Sequence, residues 1–189
     1  VNPASQDIFT GTAAGELSGS PAGGGNTGSY SYYWEYSPDG STFYPTSGTS
    51  QNYFPGLLTA TTWFRRKVVS GSETKYNLVA VVNVHQPLSA GTTTPTSITI
   101  HYNSSPGQLS ATASTGGICG SYSYQWYSSV VSGVDNLIPG ATGQNYTPGN
   151  LTTTTQFFRR TTCGSETLSA GVVTVTVTPQ LTGGTVTPA

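Results

Sequence analysis

Six basic residues, seven acidic residues, two histidines and two cysteines are the whole stock of ionic, proton-transfer and thiol chemistry in 189 residues. The cations stand in two groups: Arg65, Arg66, Lys67 and Lys75, then Arg159 and Arg160. Each group follows aromatic residues, Trp63-Phe64 in the first and Phe157-Phe158 in the second. A basic strand flanked by exposed rings is chemistry suited to an acidic polysaccharide, with rings stacking on sugar and cations holding its acids. The candidate binding surface is therefore Tyr33, Trp63 and Arg65 with Tyr127 and Arg160. The opposing expectation pairs Arg66 with Glu73 and Arg159 with Glu166, across the following turn, and leaves the other cations in water. Exposed pairs of that kind contribute under about 1 kcal/mol each. The rings are also not shared between the groups, since Gln156 stands for Trp63 and Gln125 for Tyr33. A binding platform used in every copy would keep its rings, so scattered surface positions or interdomain packing are the expected role.

Catalysis and metal binding find little support. Two histidines and three aspartates do not assemble into a nucleophile, a base and an orienting acid. Asp7, Asp39 and Asp135 do not form the acidic set that calcium needs. His85 and His101 lack a third ligand for zinc and are expected to face solvent. No metal, no cofactor and no enzymatic activity are expected.

These residues sit in a chain of unusual composition. Charged residues make up 7%, against about 25% in an average soluble domain. A net charge of −1 gives no bulk attraction to nucleic acid or to an anionic membrane. No stretch of about 18 apolar residues is present, so direct membrane insertion is not expected. The opening VNPASQDIF has no basic region leading into an apolar core, as a signal peptide would. Thr, Val and 12 Tyr favour strands, and Met is absent. The expected class is all-β.

The elements that must carry these side chains are written twice. GSYSYYWEYS at 28–37 recurs as GSYSYQWYSS at 120–129, an offset of 92. Gly15-Glu16-Leu17-Ser18 matches Gly107-Gln108-Leu109-Ser110 at the same offset. Gln51-Asn52-Tyr53 and Gly71-Ser72-Glu73-Thr74 match their second copies at 93. A third copy then begins, because Leu88-Ser89-Ala90-Gly91 recurs as Leu181-Thr182-Gly183-Gly184 and Pro95 as Pro188. The first copy lacks that lead-in. This is the pattern of a window on a longer tandem array, with repeats over 1–92 and 93–185 and the start of a further one at 186–189.

Alternation assigns the faces within each copy. Tyr30, Tyr32 and Trp34 share one face, and Tyr33 and Glu35 the other. Tyr122, Tyr124 and Trp126 repeat the first set, with Gln125 and Tyr127 outward. With Phe64 and Phe157, the expected core is Tyr32, Trp34, Phe64, Tyr124, Trp126 and Phe157. Ala80, Val82 and Val84 correspond to Val173, Val175 and Val177 on a final strand. Gly71-Ser72 and Gly164-Ser165 read as two-residue hairpin turns. Short strands with turn signals every 8–12 residues or so indicate a sandwich of about seven strands per 100 residues.

SYSYQW, IPGATGQNYTPGNLTTTTQFFRR, CGSET and the VTVTV strand together resemble the Ig-like tandem repeats of bacterial secreted multidomain surface proteins. Such repeats occur in very large adhesins, those of gliding bacteria included, and in the stalks of other exported proteins. The resemblance covers essentially the whole chain. It implies two tandem Ig-like or fibronectin-III-like β-sandwich domains, an extracellular cell-surface location, and a role as spacer or fibre unit. In an Ig-like sheet the strand after Cys119 and the strand ending at Cys163 are antiparallel neighbours, so a Cys119–Cys163 disulfide is expected. The first copy has Thr27 and Ser70 at these positions and must fold without the bond. The expected partners are neighbouring repeats of the same chain or identical chains, with a surface polysaccharide as the alternative. Sheet edges poor in charge are weakly protected, and self-association through them is expected. The linker His85-Gln86-Pro87 is short and stiffened by its proline.

Overall fold

The computed structural model describes residues 1–25, 28–130 and 133–184, and the chain divides into two units, Val1–Pro87 and Leu88–Ala189. The first unit holds β1 (Ser5–Phe9), β2 (Thr12–Ala13), β3 (Ser31–Ser37), β4 (Tyr44–Pro45), β5 (Leu57–Leu58), β6 (Thr62–Ser70), β7 (Glu73–Tyr76) and β8 (Ala80–His85). The second holds β9 (Thr93–Thr94), β10 (Ser97–His101), β11 (Ser110–Ala111), β12 (Ser123–Val130), β13 (Asn136–Leu137), β14 (Thr155–Cys163), β15 (Glu166–Ser169) and β16 (Val173–Thr178). The main sheets run β1-β8-β6-β3-β4 and β10-β16-β14-β12-β13, with β7 and β15 added beside β6 and β14. The outer pairs β1–β8 and β10–β16 are parallel, and the rest are antiparallel. Facing each main sheet is a small ladder, β2–β5 or β9–β11, prolonged by the bridges Leu17↔Tyr53 and Leu109↔Tyr146. The fold is all-β, and both units are Ig-like.

The repeated tryptophan shows why the copies converge. Alternation turns Trp34 and Trp126 inward from the centres of β3 and β12, and both are fully buried. Around Trp34 pack Leu17, Phe64, Ala80 and Val82; around Trp126 pack Leu109, Phe157, Val173 and Val175. A buried indole needs a partner for its N–H. Trp34 Nε1 donates to the Ser50 carbonyl at 3.0 Å and Trp126 Nε1 to that of Gly143 at 3.1 Å. Tyr53 and Tyr146 lie against the two indoles, with centroids 5.5 and 5.8 Å away.

Three expectations need correction. Residues 88–92 belong to the second unit: Ser89 pairs with Thr115, and Thr92 N donates to Thr112 Oγ1 at 2.8 Å. The boundary therefore falls at Pro87, earlier than the repeat length alone implied. The strand after each glycine turn is broken in two, β7 then β8 and β15 then β16, both against the same long strand. Tyr32 and Tyr124 are only half buried, because the space inside them is taken by arginine. Tyr30 and Tyr122 precede their strands and donate to the Gly24 and Gly116 carbonyls at 2.6 and 2.7 Å. The expected start of a further repeat, 186–189, and Thr27 lie outside the described residues.

Candidate binding surface

The long strands β6 and β14 position every residue of the candidate surface, through their register with β3 and β12. Since Phe64 points inward, alternation sends Trp63, Arg65 and Lys67 outward. Opposite them on β3 stand Tyr33 and Glu35, aligned with Lys67 and Arg65. Arg65 Nε donates to Glu35 Oε2 at 2.7 Å, and its guanidinium lies 4.0 and 4.3 Å from the ring centres of Phe43 and Tyr76. Lys67 Nζ sits 5.5 Å from the centre of Tyr33, a ring 45% exposed. Trp63 is half buried, with Gly40 of the β3–β4 turn close against its indole. Structure thus brings Tyr33, Trp63 and Arg65 onto one face. It leaves the cation engaged with an acid and two rings.

The equivalent face of the second unit is built from different chemistry. Tyr127 is aligned with Phe158, and their rings stack at 5.4 Å with planes 6° apart. These are the positions of Glu35 and Arg65, so an ion pair in one copy is an aromatic stack in the other. Arg160 covers Tyr127 at 4.4 Å and donates from Nη2 to Asp135 Oδ2 at 2.7 Å. The same strand pair tolerates both solutions because cross-strand neighbours need only be mutually compatible.

Arg66 and Arg159 overturn the expected pairing with Glu73 and Glu166. Both point inward and are 1% and 0% exposed. Arg66 Nη1 donates to the Gln51 carbonyl at 2.9 Å and Nη2 to that of Ser20 at 2.7 Å. Arg159 repeats this with Gln144 at 3.2 Å and Thr112 at 2.9 Å, and Nη2 also donates to the Ala90 carbonyl at 2.6 Å. Tyr32 and Tyr124 cover the guanidiniums at 4.7 and 4.1 Å. Each arginine therefore ties its sheet to backbone of the facing layer. Burial pushes both guanidinium pKa values below the ordinary arginine range. Glu73 is exposed, and Glu166 Oε2 is buried without a partner. Sequence reading missed this role, yet a signal was there: Arg66 and Arg159 lie two residues beyond Phe64 and Phe157, on the core face.

Cys119 and Cys163 form the expected disulfide, with Cα atoms 5.3 Å apart. Gly117 lies so close to the Cys163 sulfur that a Cβ there would collide with it. Each histidine is hydrogen-bonded within its own unit. His85 Nε2 shares a 2.8 Å hydrogen bond with Asp7 Oδ1 in the first unit, and His101 contacts Thr178 Oγ1 at 3.3 Å in the second. The His85 hydrogen bond, helped by Asn83, lowers the Asp7 pKa. Asp39 is held well below the usual carboxylate range by the Thr42 and Ser41 amides and the Ser37 hydroxyl, which all donate to it. No cluster of three or more potential metal ligands occurs among the described residues.

The sequence model of a family described as a domain of unknown function, DUF8696, matches twice, over residues 2–86 and 89–179. No curated protein matches the chain. Among solved structures, the N-terminal four Ig domains of Dscam1 isoform 6.9 align with a TM-score of 0.51 and 13% identity, over 94% of this chain and 45% of that one. Immunoglobulin domains 1–5 of Sidekick-1 align with a TM-score of 0.44 and 11% identity, over 91% of this chain and 35% of that one. The chain spans less than half the length of these structures. At such identity the likeness concerns the fold alone.

Proposed function

The chain belongs to the DUF8696 family, and we propose that it is a structural segment of an extracellular surface protein, a stalk or fibre unit that works without catalysis. The observation that carries this reading is the contrast between interior and face. Trp34 and Trp126, and Leu17 and Leu109, keep the same places in both units, and Arg66 and Arg159 share the equivalent Gln51/Gln144 and Ser20/Thr112 carbonyls as acceptors. The outward pair changes from Glu35–Arg65 to Tyr127–Phe158. Selection for a folded unit keeps the first set, whereas selection for one ligand per repeat would keep the second. The disulfide supports an oxidising, extracytoplasmic compartment. Electron microscopy of the native surface or secreted material tests the reading. Thin stalks or fibres labelled by an antibody to this chain support it; a label confined to compact particles overturns it.

The second reading is an adhesive module that holds an acidic polysaccharide on the β3–β6 face. What favours it is the exposed Tyr33 ring beside Lys67, with Arg65 and Trp63 on the same face. A glycan array compares the chain with its Trp63→Ala and Arg65→Ala variants. Binding that both variants lose supports this reading, and no binding above background removes it.

A further inference from the structure

Strands β1 and β10 are the same element of the two units, SQDIF in one and SITIH in the other, and each is the terminal strand of its main sheet. Each pairs in parallel on one side, β1 with β8 and β10 with β16. The other side of such a strand carries unpaired backbone groups and is a template for another strand. The two edges are guarded differently. In the first unit the central residue is Asp7, an exposed carboxylate that accepts from Asn83 Nδ2 at 3.2 Å and shares a 2.8 Å bond with His85 Nε2. Beside it the Gln6 amide is turned onto Gly15, accepting from its N–H at 2.8 Å and donating to its carbonyl at 3.2 Å. A second β1 laid antiparallel along this edge, centred on Asp7, would set two carboxylates face to face. Like charges directly opposite each other destabilise a strand pair.

In the second unit Thr99 stands at the place of Asp7 and Ile98 at that of Gln6. The strand holds no acid, lysine, arginine or proline. Ser97, Thr99 and His101 are exposed, while Ile98 and Ile100 are half buried against the core. Thr174 N donates to the Thr96 carbonyl at 3.0 Å, and Thr178 Oγ1 donates to that of Ile100 at 3.2 Å. Alternate residues of a parallel strand bond to one neighbour. Ile98 and Ile100 therefore turn their backbone groups to β16, and Ser97, Thr99 and His101 present theirs to the free side. Among the described residues no strand pairs with that side. The chain leading into β10 lies elsewhere: Ser89 bridges Thr115, and Thr93–Thr94 pair with Ser110–Ala111 in the facing ladder.

We propose that two copies of the chain join antiparallel along β10, on a twofold axis through Thr99. In this register Thr99 faces Thr99, Ser97 faces His101, and Ile98 faces Ile100. The backbone groups on the free side are the ones that meet. Thr99 exchanges both backbone bonds with Thr99 of the second copy, and Ser97 does so with His101. On the outer face the central pair is threonine with threonine, a favourable cross-strand pair, and on the inner face isoleucine meets isoleucine. No carboxylate or ammonium is brought against its like, so the edge is self-complementary as a twofold contact requires. The main sheets of the two copies become one sheet, by strand addition. The first-unit edge cannot do the same, because Asp7 occupies the axis.

The interface does not depend on the stalk reading. A monomeric chain overturns the interface and leaves the stalk intact, while a label confined to compact particles does the reverse. Sedimentation equilibrium up to about 1 mM chain measures self-association. The wild type is compared with Thr99→Ser and Thr99→Asp, the latter giving β10 the residue that β1 carries within the same fold. Expected results are a dimer that Thr99→Ser retains and that Thr99→Asp weakens at least about tenfold. Amide hydrogen exchange by NMR then follows the unaltered chain as its concentration rises. The Ser97, Thr99 and His101 amides gain protection, and those of Ile98 and Ile100, already bonded to β16, stay as they are. A chain that remains monomeric, a dimer equally strong with Thr99→Asp, or a dimer that leaves the Ser97, Thr99 and His101 amides unprotected overturns the proposal.

Discussion

Arg66 holds the most consequential side chain in its unit, because a buried cation is tolerable only while its donors are satisfied. Replacing it leaves the Ser20 and Gln51 carbonyls without their donor and a cavity beneath Tyr32. Arg66→Leu should therefore cost about 3 kcal/mol, read from the urea midpoint of the first unit. Arg66→Lys should recover only part of this, since an ammonium cannot fork between two carbonyls. Asp39 gives a pH-dependent counterpart. Its folded pKa is depressed by donated hydrogen bonds, so the ionised form favours the folded state. That stability is present in full above the ordinary value of 3.8 and is lost as pH falls through the lower folded value. Denaturation of the wild type and Asp39→Ala should differ at neutral pH, with the gap closing below about pH 4. A gap that stays constant down to pH 2 or so would contradict the assignment.

At the scale of the element, the long strands were legible and their interruptions were not. Alternation around Trp34 and Trp126 located β3 and β12, and the placement of Cys119 and Cys163 at neighbouring strand ends located the disulfide. The arginines were misread for a physical reason. Composition rules place cations outside, while period two placed Arg66 on the face of Phe64, and the second rule prevailed because backbone carbonyls stood ready across the core. The break between β7 and β8 left no mark, because Asn77 and Ala170 share no turn chemistry. The disulfide joins β14 to the segment entering β12 and closes a loop with a sequence separation of 44. In the chain-entropy view this is worth about 4 kcal/mol to the second unit. The double variant Cys119→Ser/Cys163→Ser should lower that unit's calorimetric transition and leave the first unit's unchanged. Equal shifts in both would show that the units do not unfold separately.

For the whole molecule, neutrality is the dominant fact. With 7% charged residues and a net charge of −1, little stability resides in long-range electrostatics. Raising salt from about 0.05 to 1 M should change unfolding free energy by under about 1 kcal/mol in sodium chloride, by chemical denaturation. The few cations are concentrated as well as scarce. All six lie within β6, β7 or β14, strands hydrogen-bonded in the sheets. A trypsin-like protease cuts only after lysine or arginine and needs several residues of extended, unpaired chain around the bond. Every loop of the described fold is thus invisible to it, and its substrate appears only when one of these paired strands is released. Placing each cleavable bond inside a ladder makes loss of the fold, rather than accessibility of the surface, the event that limits tryptic cleavage.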